Sequence, residues 1–256
     1  MKDRHRQKWK SGRFPLLVIA HRGSSGAAPE NTMAAFKKAI SAGADMVELD
    51  VHLSRDGDVM VIHNDSVEEK TDGRGRVADL TRRELQALDA GSWFNQDFAG
   101  ERIPSLEEVL ALAGGNILVN VEIKTGYLGN YTMDDLVDRT LAVVEGQGML
   151  DRVMFSSFHA PALRMIAARR DEAARALLLK SPIQDSEEAK SGEFSIFNCR
   201  RDVMTSESII SAQENGLMVN VWTVNQEAEM AWFIKEKVDG IFTDYPDRLI
   251  RLLEGN

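Results

Sequence analysis

The sequence predicts an α/β protein folded as a TIM-type (β/α)8 barrel, and three observations carry the prediction. Short apolar, β-rich runs alternate with longer stretches of helical periodicity, and eight such strand-then-helix units can be counted. The length of 256 residues is ordinary for one such barrel. With 43% hydrophobic residues and only 6 Pro, the chain can bury a large core and has no disordered composition.

The first unit pairs an apolar strand at Leu16–Ala20 with a helical pattern over Asn31–Ile40, for which Gly43 is the stop. Met46–Leu53 is the second strand. The turn-forming stretch Ser54-Arg55-Asp56-Gly57-Asp58 folds it back on Val59–Ile62 as a hairpin. A Gly-rich polar stretch at Thr71–Arg76 and a short helix at Thr81–Leu88 follow. The next barrel helix restarts at Ile103-Pro104-Ser105, with Ser105 as N-cap and Glu108 closing a capping box. Residues 1–256 thus read as a single barrel domain, with residues 52–103 as a small insertion between the second strand and its helix.

Beyond the insertion the units follow quickly. Asn116–Lys124 precedes helix Met133–Gln147, and Val153–Phe158 precedes Ala160–Arg170. Ala176–Lys180 leads into a weak, polar connection, and Phe194–Cys199 leads into helix Ser206–Glu214, which Gly216 stops. Met218–Val224 with Gln226–Lys237, and Gly240–Thr243 with Asp247–Leu253, complete the set.

Composition narrows the function. A net charge of -9 argues against a nucleic-acid binder, which needs a basic face. It leaves a small anionic substrate open, because a bound divalent ion dominates its local field. The single Cys199 allows no intramolecular disulfide, and no apolar run is long enough to span a membrane. Met1–Arg13 reads as a basic, polar leader ahead of the first strand. A cytoplasmic location is expected, and a homo-oligomer is left open.

The chemistry sits at strand ends. Glu48 and Asp50 alternate on one strand and therefore point the same way. Two adjacent carboxylates repel unless protons or a cation neutralise them, and a hard divalent ion with oxygen ligands, Mg²⁺ or Ca²⁺, suits them. A solvated strand face is the other reading of the pair, but apolar neighbours on both sides speak for burial. Glu122 and Lys124 repeat the period-two pattern, as a further metal ligand and a phosphate contact. His21 and His63, at two other strand ends, suit a general acid–base pair, since imidazole titrates near neutrality. Arg22 offers a bidentate fork to phosphate. His52 shares the parity of the acids and is a neighbour of the site at most; His5 and His159 read as ordinary. Gly23 and Gly26 permit close backbone approach, but the loop matches no dinucleotide or Walker fingerprint.

These residues, in this order, resemble the glycerophosphodiester phosphodiesterases. The likeness rests on His21-Arg22-Gly23, Pro29-Glu30-Asn31-Thr32, Glu48-Leu49-Asp50, His63-Asn64-Asp65, Thr71-Asp72-Gly73, Ile103-Pro104-Ser105-Leu106, Glu122-Ile123-Lys124, Trp222-Thr223-Val224-Asn225 and Thr243-Asp244-Tyr245-Pro246. It extends from about Val18 to Arg248. It implies a TIM barrel with a small insertion, and hydrolysis of glycerophosphodiesters such as glycerophosphocholine or glycerophosphoethanolamine to sn-glycerol 3-phosphate and an alcohol.

By the same resemblance His21 and His63 are the catalytic pair, and Glu48, Asp50 and Glu122 hold one divalent cation, Ca²⁺ or Mg²⁺. Arg22 and Lys124 contact the phosphate, while Glu30 and Trp222 bind substrate. The chain departs from the family pattern after His63, where Asn64 precedes Asp65, and at Val67–Thr71, where Lys70 stands in place of an arginine. Two other activities suit the same scaffold: a lysophospholipase D, whose apolar groove Tyr127, Leu128, Tyr131, Phe158 and Trp222 could line, although a packed loop explains them equally well, and a cyclising phosphodiesterase. A barrel that binds glycerophosphodiesters without cleaving them is the non-enzymatic alternative.

Overall fold

The computed structural model describes residues 13–255. Apart from Arg13, the basic leader lies outside the described residues, as does His5. Eight parallel strands close on themselves: β1 (Leu17–Ala20), β2 (Met46–Leu53), β4 (Leu118–Ile123), β5 (Val153–Ser157), β6 (Ala174–Leu179), β7 (Ile196–Arg200), β8 (Met218–Trp222) and β9 (Gly240–Thr243). Closure is made by β1, which pairs with β9 through Leu17↔Gly240 to Ala20↔Thr243 and with β2 through Ile19↔Met46 and Ala20↔Val47. The remaining strand, β3 (Val59–Val61), lies antiparallel on the far end of β2, with Val51 opposite Val61. This is the hairpin expected from the turn at residues 54–58, where the Ser54 hydroxyl donates to Asp56 and accepts from the Asp58 N–H.

The helices that pack outside the barrel are α1 (Met33–Ala42), α3 (Leu106–Ala113), α4 (Met133–Gly146), α5 (Ala160–Arg169), α7 (Ser206–Glu214), α8 (Glu227–Lys235) and α9 (Pro246–Gly255). Two very short helices complete the described set: α2 (Arg82–Leu85) and α6 (Glu187–Ser191). Capping fixes several boundaries. Ser105 and Glu108 form the expected reciprocal box at the start of α3, and Gly43 ends α1 in the left-handed region at φ 88°. The polar connection after β6 contains the five-residue α6, which the sequence pattern had not distinguished from loop. Among the described residues, no helix is long and apolar enough to cross a membrane.

Side chains sort into two main layers by strand parity. One large cluster joins the outer faces of the strands to the helices. The inner faces pack Leu17, Ile19, Met46, Leu118, Met154, Ala174, Ala176, Ile196, Met218 and Phe242 into an apolar plug at the N-terminal end of the barrel. Continuing upward along the same inward set, the residues become polar: Glu48 and Asp50 on β2, Asn120 and Glu122 on β4, Ser156 on β5, and Asn198 and Asn220, which hydrogen-bond to each other at 2.9 Å. The segment between β2 and α3 carries its own small cluster, built from Met60, Ile62, Val67, Val77, Leu85, Ala90 and Ile103.

Candidate active site

The three acids expected to converge do so. Carboxylate oxygens of Glu48, Asp50 and Glu122 lie within 4.8 Å of one another, although the residues come from two strands. The register explains it: β2 and β4 pair in parallel with Asp50 opposite Glu122, so both inward acids stand at one height. All three are buried. Burial and the neighbouring Asp50 push the Glu48 carboxyl up to about 8. Burial pushes Glu122 the same way, again with Asp50 adding to it. For Asp50, burial alone would raise the pKa, but Lys124, Arg22 and His63 together hold it well below the usual carboxylate range.

Cations and donors line this cluster without saturating it. The Lys124 ammonium donates to Glu122 at 2.9 Å and stands 3.2 Å from Asp50 Oδ1. That contact is an ion pair rather than an aligned hydrogen bond, so the buried Asp50 Oδ1 has no hydrogen-bond partner. Asp50 Oδ2 accepts from the Asn31 amide at 2.9 Å, with Arg22 Nε at 3.4 Å. Arg22 donates through its main-chain N–H to Glu48 at 2.8 Å and through its guanidinium to Glu30 at 2.9 Å. Glu30 in turn pairs with Lys70 at 3.3 Å. Buried carboxylates that repel one another, one with an oxygen that accepts no hydrogen bond, fit a hard divalent cation with oxygen ligands.

The loop after β1 sets these contacts through an unusual backbone. Arg22 and Asn31, neither a glycine, adopt φ of 54° and 56°, and the Asn31 N–H donates to the Arg22 carbonyl at 3.0 Å. The glycines serve packing against the protein's own elements. A Cβ on Gly23 would stand 2.7 Å from the Ala35 carbonyl carbon, and Gly26 lies against the Tyr245 ring.

The two histidines are wired differently. His21 Nδ1–H donates to Asp244 at 2.7 Å, and the same carboxylate accepts from Ser25 at 2.9 Å and from Asn225 at 2.6 Å. Burial alone would lower the His21 pKa, but the Asp244 hydrogen bond and the Glu48 charge outweigh it, and the net shift is upward. Burial likewise opposes ionisation of Asp244, yet its hydrogen bonds bring it down to about 2. His63 Nδ1–H donates to the neutral Asn64 Oδ1 at 2.7 Å. Its pKa falls, through burial and the charges of Arg22 and Lys124, with Asp50 opposing. His52, the possible site neighbour, is buried; its Nε2–H donates to the His63 carbonyl at 3.1 Å, fixing the chain beneath that imidazole.

Trp222 ends β8 with its indole N–H donating to the Asn198 carbonyl at 2.8 Å, and its ring meets Phe158 edge-on at 5.6 Å. Of the five residues that an apolar groove would require, Phe158 and Trp222 are in contact, while the other three have partners of their own. Leu128 and Tyr131 pack on the outer cluster, and the Tyr131 hydroxyl donates to the Arg55 carbonyl at 3.2 Å. Tyr127 is capped by Arg76 at 4.7 Å. Sequence reasoning also left Asp244, Asn31, Asn225 and Lys70 without roles, though the first three lie within the short segments that carried the resemblance and Lys70 lies where the chain departs from it.

Comparison with known proteins identifies the family. A family model described as the glycerophosphoryl diester phosphodiesterase family matches residues 21–248. The chain is 39% identical over 244 residues to a glycerophosphodiester phosphodiesterase of Caldanaerobacter subterraneus subsp. tengcongensis, covering 93% of this chain and 97% of that protein. It superposes with a TM-score of 0.86 and 30% identity on an Oleispira antarctica phosphodiesterase solved in complex with the product sn-glycerol-3-phosphate, covering 94% of this chain and 97% of that one. A glycerophosphodiester phosphodiesterase structure from Agrobacterium tumefaciens gives a TM-score of 0.79 at 30% identity, covering 92% and 99%.

Proposed function

The chain belongs to the glycerophosphoryl diester phosphodiesterase family and is a phosphoric diester hydrolase, and on that premise we propose that it cleaves glycerophosphodiesters to sn-glycerol 3-phosphate and an alcohol with His63 as proton acceptor and His21 as proton donor. The observation that carries the reading is the convergence of Glu48, Asp50 and Glu122, with His21 and His63 at neighbouring strand ends in opposite electrostatic settings. The product held by the Oleispira relative supports the choice of product.

Each group has a task that follows from its surroundings. Arg22 and Lys124 face the phosphodiester and offset its charge, which otherwise repels a nucleophile. Glu30 anchors the Arg22 fork, and Trp222 forms part of the wall for the substrate's organic portion. With Nδ1–H given to Asn64, His63 keeps its Nε2 lone pair free, and its depressed pKa keeps it neutral at physiological pH. It takes the proton of the attacking hydroxyl, either of water directly or of the substrate's own glycerol. In the second case the alcohol leaves as a cyclic phosphate forms, and water must then open that ring to sn-glycerol 3-phosphate. His21, held protonated by Asp244, gives the Nε2 proton to the departing alkoxide as the phosphorus–oxygen bond breaks. A divalent cation, Ca²⁺ or Mg²⁺, held by Glu48, Asp50 and Glu122 would supply further neutralisation of the phosphate oxygens.

A coupled assay for sn-glycerol 3-phosphate, run on glycerophosphocholine and glycerophosphoethanolamine, tests the reading. Activity should vanish with EDTA and return on adding Ca²⁺ or Mg²⁺. Full turnover in EDTA, or release of a product other than sn-glycerol 3-phosphate, would overturn it.

A further inference from the structure

The inward side-chain sets of β5 to β8 can be followed one step above their polar layer. On β5, Met154 and Ser156 lead to Phe158; on β6, Ala176 and Leu178 lead to Lys180. On β7, Ile196 and Asn198 lead to Arg200; on β8, Met218 and Asn220 lead to Trp222. Strand parity therefore brings an aromatic, two cations and a second aromatic to adjacent positions at the mouth. Contacts tie them into one arc. The Lys180 ammonium lies over the Phe158 ring at 4.7 Å, Phe158 meets Trp222 edge-on, and Arg200 is the register partner of Trp222.

The charges on this arc are not fully balanced. Arg200 pairs through Nε with Asp202 at 2.5 Å, leaving the rest of its fork free of that contact. Lys180 is exposed and, among the described residues, makes no ion pair; its ammonium rests on the Phe158 ring. The carboxylates of the proposed catalytic centre lie on the other side of the barrel, on β2 and β4.

This arrangement selects among alcohols. A choline head group would need an aromatic face, and the face of Phe158 is already covered by an ammonium of the same sign. An alcohol that carries its own negative charge meets the opposite situation, with a free lysine and part of an arginine fork facing it. The glycerol arm of any substrate is neutral, so the arm that can use this charge is the alcohol.

We propose that Lys180 and Arg200, framed by Phe158 and Trp222, form a subsite for an anionic alcohol, so that the preferred substrates are glycerophosphodiesters whose alcohol bears a second phosphate. The proposal rests on the phosphodiesterase reading given above. No new bond chemistry is involved, since the subsite binds the portion that departs.

The test compares kcat/KM for bis(glycerophospho)glycerol, glycerophosphoglycerol and glycerophosphocholine in the metal-loaded full chain, with the same ligands titrated calorimetrically. The doubly phosphorylated compound should be preferred over glycerophosphocholine beyond the twofold statistical advantage of its two equivalent phosphates. Lys180→Gln should lower that preference about tenfold, as expected for one charge-assisted contact. Lys180→Glu should reverse it toward glycerophosphocholine, and added salt should erode it in the wild type. Turnover of all three without a preference, or a preference unmoved in Lys180→Glu, overturns the subsite while leaving the phosphodiesterase intact. Preferential binding of the anionic compound with no hydrolysis of any diester supports the subsite and overturns the catalytic reading instead.

Discussion

His21 and His63 carry the same imidazole, yet a carboxylate holds one and a neutral amide holds the other. In the proposed mechanism activity requires His21 protonated, so turnover is lost as pH rises through its pKa, which lies above the ordinary 6.5. It also requires His63 neutral, so turnover is lost as pH falls through a pKa below 6.5. Replacing Asp244 by Asn removes a charge that raises the His21 pKa. The alkaline limb of kcat/KM should therefore move to lower pH while the acid limb stays in place. An alkaline limb that does not move would assign the proton donor elsewhere. His21→Ala should cost about 10²–10⁴-fold in kcat with the fold retained, as measured by turnover beside circular dichroism. Asp50→Asn should raise the metal concentration needed for half-maximal activity by at least about tenfold, read from a Ca²⁺ or Mg²⁺ titration of turnover. Parity on one strand was enough to aim Glu48 and Asp50 in the same direction from the sequence. Asp244 was harder, because it meets His21 across 223 residues of chain and only barrel closure brings them together.

At the scale of elements, the loop from β1 to α1 is the most constrained. Gly23 sits at φ 82° with the Ala35 main chain where a methyl would go. Gly23→Ala should destabilise the protein by at least about 1–2 kcal/mol from the backbone conformation alone, measured by denaturant unfolding. A loss below a few tenths would mean that the loop re-forms freely. The elements most legible in the sequence were those with their own punctuation. The β2–β3 hairpin had a polar turn, α3 had the Ser105–Glu108 box, and α1 had Gly43 as its end. The β6–β7 connection was least legible: α6 is too short to show a period, and its Ser186 cap only becomes meaningful once the Ala189 N–H is seen to donate to it. Whether an apolar groove or a packed loop used Tyr131 and Leu128 was open for a related reason. Both have the composition of a binding wall, but the hydrophobic surface between β-barrel and helices claims them first.

For the molecule as a whole, the eightfold alternation of strand and helix was enough to identify the barrel, because parallel strands joined through helices need covered faces and few architectures supply them. What alternation could not reveal was the vertical sorting of the interior, with an apolar plug beneath a polar layer, since both use the same period of two. Phe242 is among the largest side chains of that plug and is 2% exposed. Phe242→Ala should cost about 3–5 kcal/mol in denaturant unfolding, more than any surface change in the helices. The sealed floor has a consequence for traffic. The barrel is a cul-de-sac, so substrate, water and both products share one doorway, and a product still in residence bars the next arrival. Under the proposed mechanism each product should therefore inhibit by simple occupancy, and sn-glycerol 3-phosphate, attracted by Arg22 and Lys124, should be the guest slower to leave.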